Sequence, residues 1–219
     1  SPDAWARNVG AMPDPTAGIT AVYGVLAALH RREHTGKGEE LDVSLWEASA
    51  ALNVDGWMTY ALTGEEPTRI GNRSLRSAPH GAYPAMGIDQ WVTLACETDA
   101  QWRALRDMIP GLDDPRFETT TGRKDTEDEL DSLIAAWTRR YDRWYTTALL
   151  QARDIPAFPS MTVQDVIEDG HNAARGFIEA LVHPEVGARR HTGIPYLLSE
   201  RPNGVQRPAP CLGQHSREV

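Results

Sequence analysis

Cysteine is scarce: Cys96 and Cys211 are the only two in 219 residues, and they lie far apart in unrelated contexts. Two such thiols build neither a disulfide framework nor a zinc site, and their usage fits a reducing compartment, so a cytoplasmic protein is expected. Positive charge is also in deficit. Lys and Arg total 22 against 31 Asp and Glu, a net charge of −9. That argues against a general nucleic-acid surface or an anionic membrane partner and leaves room only for a local basic pocket. No apolar run approaches a membrane span, and no signal peptide, repeat or low-complexity tract is visible. Phosphate-loop chemistry is missing as well. Gly36-Lys37-Gly38 lacks the upstream glycine of a Walker A loop and follows a helix, nothing reads G-x-G-x-x-G, and Ser44, Ser49 and Ser160 lack a nucleophile-elbow context. The chain opens on Ser1 and closes on CLGQHSREV, and it reads as an internal piece of a longer protein.

What is present is ordinary for a globular chain: 41% hydrophobic and 24% charged residues. Ile19, Val22, Tyr23, Leu26 and Leu29 recur at helical spacing, which predicts a helix from about Pro15 to Arg32 that packs on a sheet and stops at a left-handed Gly36. Alternation over Glu40 to Leu45 predicts a strand, and Glu47 to Leu62 a second helix. Residues 64–82 form an aperiodic linker or functional loop. Tyr83 to Met86 and Gln90 to Ala95 then read as a hairpin around Gly87-Ile88-Asp89. Asp99 caps a helix to about Met108, and helices follow over Leu130 to Trp137 and Trp144 to Ala152. A short strand and a helix start lie within 153–168, strands turn near Glu185-Val186-Gly187, and the chain is Pro-rich after Ser199. The fold class is α/β.

Four candidate groups need weighing. His30-Arg31-Arg32-Glu33-His34 matches a zinc pattern, yet it lies in a charged final helical turn without an evident third ligand, so a basic helix end is the better reading and no metal is expected. Cys96, at the end of a hairpin strand, reads as core. His80, beside Gly81 in the loop before the hairpin, reads by itself as surface. Asp14 fits an N-cap with Pro15 at the first helical position, and spacing alone favours that role. The same placement would keep a carboxylate ionised beside free N–H groups, where it could act as a nucleophile.

The chain resembles the class III CoA-transferase family, which includes formyl-CoA and carnitine CoA-transferases. The resemblance is carried in order by DPTAG (14–18), VLAALHRREHTGKGEELDVSLWEA (25–48), RIGNR (69–73), APHGAYPAMGIDQWVTLA (78–95), DPRF (114–117), ELDSLIAAWT (129–138), ARGF (174–177), HPEVG (183–187) and RPAPCLGQHSREV (207–219). It implies the end part of a Rossmann-like large domain plus a small α/β domain, in a fold whose two chains interlock as a homodimer. On that basis residues 1–65 belong to the large domain, 66–82 to a linker and active-site loop, 83–180 to the small domain, and 181–219 to a return segment. Most of the CoA-binding surface would lie outside this chain.

The resemblance also assigns Asp14 as the nucleophile that attacks an acyl-CoA thioester, with CoA as a substrate rather than a resident cofactor and a small carboxylic acid as acceptor. His80, Gly81 and Ala82 are implied to line the acyl pocket. RSAPHGAY (76–83) holds only Gly81, which argues against a glycine flap and an oxalate-type substrate. Glu39 replaces a common Gln, and Asp169-Gly170-His171 a common Asp-Pro-His; both sites read as turn and packing details. One alternative is an α-methylacyl-CoA racemase of the same fold, and another is a non-catalytic fragment or subunit.

Overall fold

The computed structural model describes residues 12–200 and 204–217; part of the Pro-rich tail expected after Ser199 lies outside them. The chain divides into two compact units, Ser1–Arg73 and Ser74–Val219.

The first unit is helical. Helix α1 runs Pro13–Thr35 and ends on Gly36 at φ 69°, whose N–H donates to the Arg32 carbonyl at 2.8 Å. The glycine stop matches the expectation, since only glycine takes the left-handed region freely. Helix α2, Leu45–Ala50, is capped by the Ser44 hydroxyl, and α3 spans Val54–Thr63. The single helix expected over Glu47 to Leu62 is therefore broken. The chain tightens into a 3-10 turn over Ala51–Asn53, and Asn53 leaves the helical region at φ −96°, ψ 39°. The strand expected at Glu40–Leu45 is also corrected. The described residues of this segment form no strand, because strand pairing needs a neighbour and this one has none there. Leu41 instead lies against Gly24, where an added Cβ would come within 2.9 Å of its side chain. The apolar stripe of α1 packs on no sheet among the described residues: Ile19, Val22, Tyr23, Leu26 and Leu29 are 39–76% exposed.

The second unit has a core built on a three-stranded antiparallel sheet in the order β1 (His80–Pro84), β2 (Trp91–Ala95), β3 (Ala157–Pro159). Central β2 alternates as a half-buried strand should, with Val92 and Leu94 inside and Trp91 and Thr93 outward. Helices α4 (Asp99–Arg106), α5 (Thr120–Asp125), α6 (Glu127–Thr138) and α7 (Arg143–Gln151) belong to this unit. The core joins Trp102, Leu105, Phe117, Leu130, Ile134 and Leu150 to the sheet. The cap of α4 is Thr98, one residue before the expected Asp99. Its hydroxyl accepts from Gln101 N–H and the Gln101 side chain accepts from Thr98 N–H, the reciprocal box that Asp99 cannot form. Helices α8 (Val163–Glu168) and α9 (Gly170–Ala174) lead to the hairpin β4 (Ile178–His183) and β5 (Gly187–Thr192).

Two cross-links use charge. Arg116 pairs with Asp114 at 2.7 Å and Glu129 at 2.8 Å, tying the 3-10 turn at Pro115–Phe117 to α6. Arg143, nearly buried, donates to the Ser160 carbonyl and to Asp165 Oδ2 at 2.6 Å. Hydrogen bonds from Thr162, with Arg143 adding to them, hold the Asp165 carboxyl below its ordinary 3.8. Arg116 does the same for Asp114, ordinarily 3.8, and Glu129, ordinarily 4.5. Lowered folded-state values stabilise fully above the unfolded ones and lose that contribution as protons bind. The contribution of these three carboxylates to stability is therefore expected to be present above pH 4.5 and to be lost as acid passes 4.5 and 3.8 toward the lowered values. Urea midpoints at about pH 6 and about pH 3 check this, and Asp165→Asn narrows the gap between them.

Gly122 allows α5 to sit where it does. A Cβ there would run into the Arg116 carbonyl oxygen, a backbone atom with no rotamer to change. Gly122→Ala is expected to cost about 2–3 kcal/mol, within the range for overpacking, read as a lowered urea midpoint at unchanged slope.

Candidate active site

Asp14 lies inside the first turn of α1 rather than at its cap. Met12 already has helical angles, φ −48° and ψ −39°, Pro13 is the first helical residue, and no side chain caps this end. A residue before proline is steered away from the helical region, which is why the sequence suggests a start after Asp14. Proline tolerates the first turn because its missing N–H would have no partner within the helix. The main-chain donors are accordingly fewer than expected. Of residues 13–15 only Asp14 carries an N–H, and Thr16 donates its own N–H and its hydroxyl to the Met12 carbonyl, at 3.2 and 2.7 Å. The Asp14 side chain is exposed.

His80, Gly81 and Ala82 belong to the second unit and share β1, an edge strand. His80 is its first residue rather than part of a preceding loop, since pairing extends back to it. His80 lies opposite Ala95, and Cys96 N–H donates to the Pro79 carbonyl at 2.9 Å. All three are half-buried. Successive strand residues face opposite sides, and Gly81 shares its side with Tyr83. A Cβ on Gly81 would stand 3.1 Å from the Tyr83 hydroxyl. His80 and Ala82 take the other side. Tyr83 is buried and donates to Asp131 Oδ1 at 2.7 Å; burial first, then the Asp131 charge, raise its pKa far above 10.0.

The remaining candidates separate by environment. Cys96 is 2% exposed, and burial pushes its thiol up to about 12, against the pull of Arg123, so it is core as expected and unreactive. His30 and His34 stack edge-on with centroids 4.7 Å apart, and a His34 ring nitrogen engages the His30 carbonyl. Among the described residues no His, Cys, Asp or Glu joins them to make a group of three.

Sequence reasoning passed over Arg123. This cation is only 2% exposed. Its Nε donates to the Ala78 carbonyl at 2.6 Å, Nη1 to the carbonyls of Phe117 and Glu118 at 3.0 and 3.1 Å, and Nη2 to the Thr120 hydroxyl at 3.0 Å. Its guanidinium lies 4.6 Å from the centre of the Trp102 ring. A lone Arg in a stretch without periodicity carries no sequence signal for such a role.

This mixed α/β architecture matches a known class of structure. A crystal structure of a CaiB/BaiF family protein from Brucella suis aligns with a TM-score of 0.85 at 26% identity, over 100% of this chain and 57% of that one. The chain belongs to CoA-transferase family III, whose family model matches residues 4–216. It is 32% identical to succinyl-CoA–D-citramalate CoA-transferase of Chloroflexus aurantiacus, over 100% of this chain and 55% of that protein. It is 30% identical to formyl-CoA:oxalate CoA-transferase of Streptomyces avermitilis, over 94% of this chain and 54% of that protein. The family resemblance carried by the motifs therefore holds, and the chain spans about 55% of the length of such relatives.

Proposed function

We propose that this chain is part of an enzyme that moves coenzyme A from an acyl-CoA donor to a small carboxylic acid, with Asp14 as the covalent carboxylate. The observation that carries the proposal is the family match over residues 4–216, with relatives named as CoA-transferases. An Asp14 oxygen attacks the thioester carbonyl carbon, the C–S bond breaks, and CoA thiolate leaves an acyl–aspartyl anhydride. The thiolate attacks the aspartyl carbonyl, the donor acid departs, and an aspartyl–CoA thioester remains. The acceptor carboxylate attacks that carbonyl and releases the thiolate, which takes the acceptor's acyl carbon and restores Asp14. Splitting one exchange into four acyl transfers lowers each barrier. Atoms balance without water, metal or resident cofactor.

In this proposal His80 and Ala82, with the Gly81 backbone, contact the acyl group. Residues 1–65 form the end of a Rossmann-like large domain, 66–82 a linker and active-site loop, 83–180 the small domain and 181–219 the return segment. The complete protein is an interlocked homodimer working in the cytoplasm. Among the described residues no helix is long and apolar enough to cross a membrane, and the net charge of −9 disfavours nucleic acid.

The test offers the complete protein succinyl-CoA with D-citramalate, glutarate, L-malate or mesaconate, acids named in its relatives' activities. A new CoA ester that forms only when an acceptor is present supports transfer. Deuterium entering the donor's α-carbon from solvent, without any acceptor, would instead identify a racemase of this fold.

A further inference from the structure

We propose that Lys124 and Arg123, consecutive on α5, are positioning residues that clamp the segment entering β1 and so keep water from the acyl intermediates; this rests on the assignment of His80–Ala82 as acyl contacts. The clamp grips at two points. Lys124 Nζ donates to the Ser74 carbonyl at 2.7 Å, and Arg123 Nε to the Ala78 carbonyl at 2.6 Å. Between them the chain descends into the core, with Ser77 at 7% and Ala78 at 0% exposure. One residue beyond Ala78, the Pro79 carbonyl accepts from Cys96 N–H, and the chain becomes β1 at His80. The segment is thus fixed by two cations and then by the sheet.

The anchor is itself immobilised. Thr119 caps α5 through Gly122 N–H at 3.1 Å, and Gly122 abuts the Arg116 carbonyl. Arg123 spends its other donors on Phe117, Glu118 and Thr120. Lys124 is held by Glu127 Oε2 at 2.7 Å, and the Glu127 side chain is 7% exposed. Charged donors on main-chain carbonyls are among the stronger hydrogen bonds. A mixed anhydride and an activated thioester are both open to water, so a strand at the acyl group serves transfer only while its approach stays closed.

Lys124→Met in the complete protein keeps the aliphatic stem and removes the donor. Amide hydrogen exchange over residues 76–82 is expected to quicken about tenfold, the scale of one charge-assisted bond, with α7 (Arg143–Gln151), which does not touch Lys124, unchanged. In the same transfer assay, the ratio of donor hydrolysis to CoA transfer is expected to rise several-fold. Unchanged exchange at 76–82, or exchange that quickens equally in α7, would overturn the clamp. Quickened exchange with an unchanged hydrolysis ratio would overturn its link to the reaction. If the unsubstituted protein transfers no CoA, the functional assignment fails with it, and the exchange measurement alone decides whether the clamp exists.

Discussion

Asp14→Ala in the complete protein is expected to remove CoA transfer, by about a thousandfold or more, while leaving the protein folded. The size follows from the role. Without a carboxylate there is no aspartyl anhydride and no aspartyl thioester, and a bound acceptor acid would have to attack the donor thioester itself, forming a mixed anhydride that the freed thiolate then opens at the acceptor's carbonyl. The stability side follows from geometry. Asp14 makes no capping hydrogen bond and its side chain is exposed, so only a favourable interaction with the helix dipole is lost, under about 1 kcal/mol. Asp14→Asn is expected to be equally inactive, because an amide does not form the anhydride. A parallel loss of melting temperature and activity in Asp14→Ala would mean that the side chain is structural.

Arg123→Met is expected to do the reverse and strongly destabilise the second unit. The substitution leaves the carbonyls of Ala78, Phe117 and Glu118 without their charged donor in a site 2% exposed. Each buried acceptor left unsatisfied costs roughly 1–3 kcal/mol, and the cation lying over Trp102 adds to the loss. The total, about 3–5 kcal/mol, is a large share of the stability of an ordinary domain. Urea unfolding is expected to show a strongly lowered midpoint, with Arg123→Lys intermediate because one cationic donor is kept. An unfolding free energy within about 0.5 kcal/mol of the unsubstituted protein would show that the buried cation holds nothing.

The two residues also mark what was legible in the sequence. Helices α6 and α7, the β1–β2 hairpin and the β4–β5 hairpin carry their own period and turn signals, and they lie within a few residues of expectation. Residues 110–125 do not. The 3-10 turn and α5 are shorter than two helical turns, too short for a period, and they are ordered by Arg116 and Arg123 reaching across the fold and by Gly122 lying against the Arg116 carbonyl. The 40–45 alternation is real, yet alternation without a neighbouring strand does not make a ladder. Flanking prolines misplace the start of α1, because their local bias against helical angles at Met12 and Asp14 yields to the helix that follows.

The candidate site divides along the same line. Spacing points to a cap at Asp14, and no capping bond exists. The order of motifs from DPTAG to RPAPCLGQHSREV identifies the family, because residue types kept for chemistry have no period to detect. Arg123 is invisible to both approaches, since its role comes from contacts 45 residues apart in the chain.

The most direct test of the covalent role is hydroxylamine trapping during turnover, followed by peptide mass spectrometry of the segment containing MPDPTAGI. An aspartyl anhydride or thioester yields a hydroxamate. The expected result is a hydroxamate on Asp14 alone, formed only when acyl-CoA is present and absent in Asp14→Asn. Turnover with no modification of Asp14, or with the hydroxamate on another carboxylate, would contradict Asp14 as the nucleophile.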